Sequence, residues 1–127
     1  MLGGKDVAVT LAVSDVERAR DFYENTLGLG TFQEMPGALL YKSGSSVVLV
    51  YQSEFAGTNK ATAASWAVGD DFDATVEQLK AKGVAFEHYD DLPDTTREGD
   101  VHLMGDFKSA WFKDPDGNIL NIANMTP

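Results

Sequence analysis

Few side chains in this sequence have the type and spacing that chemistry requires. The only two imidazoles are His88 and His102, and the absence of cysteine excludes disulfides, thiolate metal sites and a cysteine nucleophile. Neither histidine has a serine in its sequence context that would indicate a nucleophile–base pair. We expect His88, beside Glu87 and Asp90, to lie at a solvated strand end. His102 lies on a predicted strand, where it either reaches a cavity or is a satisfied or surface histidine.

The size and charge of the chain limit what it can bind. Its 127 residues, 43% of them hydrophobic, are enough for one domain, residues 1–127, with a proper core. Twenty acidic against ten basic residues give a net charge of −10, which disfavours nucleic acid and anionic lipid. This charge either aids solubility or attracts a cationic ligand. No apolar run approaches a membrane span and Met1–Lys5 is not a signal peptide, so we expect a cytoplasmic protein without a membrane partner.

The elements that position these groups are clearest at the end of the chain. The segment Ser109–Asn124, SAWFKDPDGNILNIAN, predicts two strands joined by a turn at Asp114–Asn118. Pro115 presets the backbone angle φ of this turn, and Gly117 accepts a positive φ. A hairpin of this kind leads us to expect an earlier counterpart in the chain.

The first half of the chain predicts the order β-α-β-β-β. The segment Val7–Val13, VAVTLAV, alternates large and small residues as a strand does. Ser14 and Glu17 form a capping box that begins a helix, and Gly28 is placed to end it. Further strands are expected near 30–34, 39–42 and 47–52.

The second half repeats this order. A strand is predicted at 63–68, followed by a helix after Asp71, which holds the place that Asp15 has in the first half. Further strands are expected at 84–89, at 101–105 and in the closing hairpin. The stretch 90–100 is expected to be a surface loop or a lid. The predicted modules are then 5–53 and 62–127, with a linker at 54–61.

Together these segments resemble the vicinal oxygen chelate superfamily, which contains glyoxalase I, extradiol dioxygenases, fosfomycin-resistance enzymes and bleomycin-resistance proteins. The resemblance rests on VTLAVSDVERARDFYENTLGL, WAVGDDFDATVEQLKAKGV and AWFKDPDGNILNI, and it extends from Val7 to Ile122. It implies an α+β fold of two tandem βαβββ modules whose curled mixed sheets surround a shared cavity. It also implies a small-molecule partner and, often, a homodimer.

The resemblance further implies where a metal would bind, and there the sequence departs from the family. Metal-using members carry ligands at positions that correspond here to Ala8, Leu49, Ala64 and Asn121, with Val48 in place of Leu49 if the register slips by one. Hard divalent metals need carboxylate, imidazole or several oxygen ligands, which these side chains do not supply. We therefore expect no metal and no other cofactor.

The same alternation predicts which side chains line the cavity. They form an apolar, aromatic wall with few polar groups, as small-molecule sites usually have. The expected lining residues are Thr10, Tyr41, Leu49, Tyr51, Trp66, His102, Trp111 and Asn121. Leu40 is the alternative to Tyr41, and Phe112 to Trp111, because neighbours in a strand point to opposite faces. We expect Trp66 and Tyr51 to flank a pocket whose polar group is Asn121; the alternative is that the aromatic residues only fill a core.

Two functions remain open from the sequence. The first is a metal-independent binding protein that holds a small amphipathic or cationic molecule, as the bleomycin-resistance branch does. The second is an enzyme of the same superfamily, namely a lyase, isomerase or dioxygenase that is metal-free or has relocated metal ligands. The sequence identifies no catalytic residue for it.

Overall fold

A computed structural model describes residues 1–126 and divides them into two compact units. The first unit contains Met1–Thr58 together with Pro115–Asn118, and the second contains the rest of the described chain. Each unit is a mixed α+β structure with one curled sheet and few helical segments, as the sequence predicts. Within residues 1–126, no helix is long and apolar enough to cross a membrane.

The first unit has four strands and one helical segment. They are β1 (Val9–Val13), α1 (Val16–Arg20), a π-helical continuation (Asp21–Thr26), β2 (Gly30–Met35), β3 (Ala38–Ser43) and β4 (Ser46–Gln52). The strand order in the sheet is β1-β4-β3-β2. The first strand lies parallel to the last, and the other pairs are antiparallel.

Helix α1 begins differently from the expected capping box. The N-cap is Asp15, whose carboxylate accepts from the backbone N–H groups of Glu17 and Arg18. The Ser14 hydroxyl instead donates to the carboxylate of Asp116 at 2.6 Å. A short carboxylate satisfies the free N–H groups of a helix start as well as a hydroxyl does, and it adds a favourable charge there.

The turn Pro115–Asn118 belongs to the first unit although it comes late in the sequence. The Asn118 side chain donates to the carbonyl of Ala12 at 2.8 Å. Asp116 accepts from Arg18 at 2.8 Å, in addition to its bond with Ser14. Three side-chain contacts therefore connect this turn to the end of β1 and the start of α1.

The helix-side face of the first sheet forms its core. Tyr41 is fully buried there, with its ring stacked on Tyr23 at 6.2 Å between centroids. Its hydroxyl donates to Glu24 at 2.9 Å, and both of these partners lie in the π-helical segment. The other buried side chains on this face are Leu11, Val13, Leu39, Val48 and Val50.

The second unit has six strands and the longer helix. They are β5 (Thr62–Ala67), a 3-10 turn (Gly69–Asp71), α2 (Phe72–Ala81), β6 (Phe86–Glu87), β7 (Thr96–Glu98), β8 (Val101–Met104), β9 (Phe107–Lys113) and β10 (Ile119–Ala123). The strand order is β5-β10-β9-β8-β7, with β6 beside β9. The first strand again lies parallel to the last, so the two units repeat one topology.

The stretch predicted as a loop or lid contains a strand. Residues Thr96–Glu98 pair antiparallel with β8, and Arg97 lies opposite His102. Arg97 also holds the preceding segment in place, because its guanidinium donates to Asp90 at 2.8 Å and to the Gly99 carbonyl at 2.7 Å. His88 is exposed, as expected, and contacts Asp100 at 2.8 Å.

The two faces of the second sheet differ in chemistry. The face that we call the apolar face has a hydrophobic centre, made of Ala64, Trp66, Ala110, Phe112, Leu120 and Ile122. All of these except Trp66 are buried. Helix α2 buries its own apolar stripe of Phe72, Val76 and Leu79. The opposite face is polar, and it contains the candidate site.

Candidate functional site

The polar face of the second sheet is built from four neighbouring strands. In the strand pairing, Asn121 lies opposite both Ser65 and Trp111, and His102 lies opposite Ser109. Directly paired residues project to the same face of a sheet, as do residues two apart in one strand. These five side chains therefore share one face, and three of them, Asn121, His102 and Ser109, are polar and buried.

Three rings meet on this face and form what we call the ring triad, Tyr89, His102 and Trp111. The rings of His102 and Trp111 are edge to face, with centroids 4.8 Å apart. Tyr89 follows β6 and lies 5.5 Å from Trp111 and 6.0 Å from His102. Edge-to-face pairs at such distances are favourable contacts beyond their apolar area, so the triad is a packed unit.

His102 is held in one protonation form by its neighbours. The backbone N–H of Tyr89 donates to Nε2 of His102 at 2.9 Å. Because a backbone N–H can only donate, Nε2 must be the unprotonated acceptor, and the proton of the neutral ring lies on Nδ1. Burial lowers the pKa of His102, and the backbone of Ser109 opposes this shift. Neutral imidazole is therefore the favoured form at neutral pH.

The Tyr89 hydroxyl is buried and lacks a hydrogen-bond partner among the described residues. Nδ1 of His102, a residue that is only 2% exposed, has no contact of good hydrogen-bond geometry, but the backbone carbonyl of Ser109 lies close enough to accept from it and to raise the pKa of the ring. Burial, followed by the charge of Glu87, raises the pKa of the Tyr89 hydroxyl. Both groups therefore keep their protons at neutral pH and can donate them to an acceptor atom.

Asn121 does not need a ligand for its amide protons. Its Nδ2 donates to the Ser109 hydroxyl at 2.6 Å and to the Ala110 carbonyl at 3.1 Å. The sequence predicts that Asn121 is the polar group of the pocket and that a ligand would satisfy the hydrogen bonds of its side chain. The structure places Asn121 on the polar face but gives its amide protons partners within the sheet.

Trp66 lies on the opposite face, which corrects the expectation that it flanks a pocket with Asn121. In the pairing of β5 with β10, Trp66 is opposite Ile122, whereas Asn121 is opposite Ser65. Strand alternation cannot be counted from Asp71 back to Trp66, because the count crosses the 3-10 turn that precedes α2, where alternation does not hold. Ala64 is likewise on the apolar face, and its neighbour Ser65 lies opposite Asn121.

The first sheet has an open face that carries three of the expected residues. In the strand pairing Thr10 lies opposite Leu49, and Ala12, two residues after Thr10, lies opposite Tyr51. Thr10, Leu49 and Tyr51 therefore share this face. Tyr41 is on the helix-side face instead, because its hydroxyl bonds the helical segment. Its alternative, Leu40, is paired with Leu49 and lies on the open face.

A cleft of about 510 Å³ lies at the beginning of β1 and β4 in the first unit. Its walls include Ala8, one of the positions where the family resemblance implies a metal ligand. The other lining residues are Lys5, Asp6, Val7, Ser45, Ser46 and Val47. One carboxylate and two hydroxyls are a weak set of metal ligands, because a hard divalent ion needs more oxygen donors.

The residues of the two sheets do not fit the metal that the family resemblance implies. Within residues 1–126, no group of three or more His, Asp or Glu side chains could hold a metal ion. The resemblance puts Ala8, Leu49, Ala64 and Asn121 at the ligand positions, and the strand pairing places Ser65 rather than Ala64 beside Asn121; none of these side chains is an imidazole or a carboxylate. His102 is the nearby imidazole, but its Nε2 already accepts from Tyr89.

Three members of this site, Ser65, Ser109 and Tyr89, are not among the lining residues expected from the sequence. Ser109 could have been found, because it is two residues from Trp111 in one strand and must share its face. Tyr89 gave no such signal, since β6 ends at Glu87 and the chain beyond it follows no regular alternation.

Comparison with known proteins identifies the family. The model of the Glyoxalase/Bleomycin resistance protein/Dioxygenase superfamily matches residues 7–122. No curated protein matches the chain in sequence.

Among solved structures, a lactoylglutathione lyase from Agrobacterium tumefaciens has a TM-score of 0.69 at 18% identity, covering 95% of this chain and 94% of that one. The fosfomycin resistance protein FosX from Listeria monocytogenes, in complex with Mn(II) and sulfate, has a TM-score of 0.73 at 16% identity, with coverages of 99% and 93%. At these identities the structures show a shared fold. The chain belongs to the glyoxalase/bleomycin resistance protein/dioxygenase superfamily.

Proposed function

We propose that this chain is a small-molecule-binding member of its superfamily that works without a bound metal. The proposed site is the polar face of the second sheet, at the ring triad of Tyr89, His102 and Trp111. The observation that carries this proposal is the buried hydroxyl of Tyr89, a donor that lacks a protein partner among the described residues; beside it lies the donor Nδ1 of His102, which has only the backbone carbonyl of Ser109 near it.

The energetic argument concerns these donors. A buried polar group without a partner costs about 1–3 kcal/mol, and a ligand oxygen that accepts from it would recover this free energy. Trp111 is half-buried, and its Nε1 already donates to the Thr62 hydroxyl at 3.1 Å. Its indole N–H is therefore already occupied, and the exposed part of the ring offers apolar contact. One flat apolar surface beside buried donors suits an amphipathic molecule.

The absence of suitable ligands supports the metal-independent part of the proposal. Amide, hydroxyl and aliphatic side chains occupy the places where metal-using relatives need carboxylate or imidazole. An enzyme of the superfamily that depends on a metal would need a donor set elsewhere in the chain. Metal analysis of protein purified without chelator addresses this alternative, because stoichiometric metal would favour the enzyme.

The binding proposal is tested with tryptophan emission. The chain has two tryptophans, so a Trp66→Phe variant reports on Trp111 alone. We expect saturable changes in Trp111 emission with at least one compound from a naphthalene series that carries an ethyl, acetyl, carboxylate or aminomethyl group. The matched Trp111→Phe variant, which reports on Trp66, should show little change. Absence of saturable binding across the series would contradict the proposed site.

We also propose a homodimer in the cytoplasm. Strand β2 is the edge of the first sheet, all six of its residues are exposed, and Phe32 is 54% exposed. An exposed strand edge with an apolar side chain favours pairing with another chain. Light scattering at tens of micromolar should therefore give about twice the 13.7 kDa monomer mass, and the monomer mass would contradict it.

A further inference from the structure

We infer that Asp116 is a site of spontaneous conversion to isoaspartate, and that Ser14 and Arg18 control how fast this modification occurs. Asp116 is followed by Gly117, and no other Asp or Asn in the sequence precedes a glycine. An aspartate in this position is especially reactive, because glycine has no side chain to shield its amide nitrogen. The site lies in the turn Pro115–Asn118 of the first unit, whereas the proposed ligand site belongs to the second unit.

The reaction needs only the chain and water. The backbone nitrogen of Gly117 attacks Cγ of Asp116, and the hydroxyl of the protonated carboxyl group leaves with the amide proton as water. A second water then opens the five-membered succinimide ring at the original backbone carbonyl of Asp116, which gives isoaspartate. One water is lost and one is gained, and no electrons are transferred. The backbone now runs through the Asp116 side chain and is one methylene longer.

Native contacts hold the reacting carboxyl group in place. Oδ1 of Asp116 accepts from the Ser14 hydroxyl at 2.6 Å and from Arg18 at 2.8 Å, and Arg18 also donates to the Ser14 hydroxyl at 2.9 Å. The Asp116 side chain is only 7% exposed. A nearly flat succinimide ring needs an eclipsed χ1 angle, so the side chain must leave its staggered rotamer to react. It cannot rotate in this way while both donors hold Oδ1.

The backbone of the turn is held as well. The Asn118 side chain donates to the Ala12 carbonyl at 2.8 Å, and the Asp116 carbonyl packs so closely on Gly57 that no side chain fits there. Ring closure therefore requires local opening of the turn. When such opening is fast relative to the reaction, the rate follows the population of the open form. Isoaspartate then makes the opening permanent, because the lengthened backbone moves the carboxylate away from its two donors.

The site is tested by incubating the whole chain for several weeks in neutral buffer, both native and unfolded in guanidinium. Isoaspartate is detected by methyl transfer from S-adenosylmethionine with an isoaspartyl methyltransferase, and it is located by peptide mapping. We expect it to form at Asp116 in the unfolded chain and about tenfold or more slowly in the native chain. Asp116→Glu, which would need a six-membered ring, should give no signal at this position.

The roles of Ser14 and Arg18 are tested with Ser14→Ala and Arg18→Met, each of which removes one donor to Asp116. Each variant should form isoaspartate about fivefold faster than the native chain, because one net hydrogen bond changes an opening equilibrium by about this factor. Tyr41→Phe is the matched control. It weakens the same unit without touching the turn, so its rate should stay close to the native one.

Three outcomes would overturn the inference. Absence of isoaspartate at Asp116 in the unfolded chain would remove the site, and equal rates in the native and unfolded chains would remove the protection by the fold. Neither of these measurements requires a variant that folds. If Tyr41→Phe accelerated the reaction as much as Arg18→Met does, general unfolding rather than the two donors would control the rate.

Discussion

The backbone N–H of Tyr89 donates a hydrogen bond of 2.9 Å to Nε2 of His102, a residue 13 positions later in the chain. This bond holds the segment after β6 over the polar face of the second sheet. It also fixes which nitrogen of the neutral His102 ring carries the proton.

The first prediction concerns pH. Burial and the charges of Arg97 and His88 lower the pKa of His102 below its ordinary 6.5, against the opposing effects of Ser109 and Asp90. Because the unfolded chain then takes up the proton first, the stability present above pH 6.5 should be lost as the pH falls towards the folded-state pKa. Denaturant unfolding between pH 7.5 and about pH 5, above the range where most carboxylates titrate, measures this loss.

The control for the pH prediction is the other histidine. His88→Gln removes an exposed imidazole and should leave the loss of stability between pH 7.5 and pH 5 largely in place. His102→Gln keeps an acceptor for Tyr89 N–H but cannot titrate, so it should flatten the profile. A profile unchanged by His102→Gln would show that another group causes the loss.

The second prediction concerns the buried phenol on the helix side of the first sheet. Tyr41→Phe removes the donor to Glu24 and leaves that carboxylate with one hydrogen bond fewer. We expect a loss of about 1–2 kcal/mol in the free energy of unfolding, measured with denaturant. Tyr51→Phe is the matched control, because Tyr51 is 38% exposed on the open face and should change stability by less than about 0.5 kcal/mol.

The third prediction concerns two glycines with left-handed backbone angles. Gly44 and Gly57 have φ values of +58° and +75°, so alanine at either position costs about 1–2 kcal/mol in backbone strain. A side chain at Gly57 would also collide with the backbone carbonyl of Asp116, whereas one at Gly44 meets open space. Gly57→Ala should therefore lower the melting temperature more than Gly44→Ala does. Equal losses would mean that the turn at Asp116 can move away freely.

The fourth prediction concerns metal. A metal that binds only the native protein at a concentration a hundred times its dissociation constant adds about 2.7 kcal/mol to stability. Since the donor positions carry Ala8, Leu49, Ser65 and Asn121, we expect excess EDTA to leave the melting temperature unchanged. A decrease of several degrees, reversed by added Zn²⁺ or Mn²⁺, would contradict this prediction.

The sequence predicts the fold well because its signals are local. Strand alternation around Val50 and the Asp–Pro–Asp–Gly turn depend on nearby residues, and both are found where they are expected. A strand, a helix and then further strands are also found twice, although five strands follow the helix in the second unit and three in the first.

The candidate site was less predictable, because it depends on which face each strand turns towards. Alternation places Thr10 and Leu49 together on one face of the first sheet, but it cannot be carried through a 3-10 turn to Trp66 in the second. Tyr41 was misplaced because its hydroxyl finds a partner in Glu24, a contact between distant residues that no local pattern contains.

The turn at Pro115–Asn118 has a consequence for how this gene can be divided. The amide of Asn118 and the carboxylate of Asp116 satisfy Ala12, Ser14 and Arg18, all encoded at the other end of the reading frame. A fragment that stops at residue 58 would leave these groups to water and lose the contact surface of the turn. The two sequence repeats therefore cannot be inherited, or exchanged with those of a related gene, as self-sufficient halves.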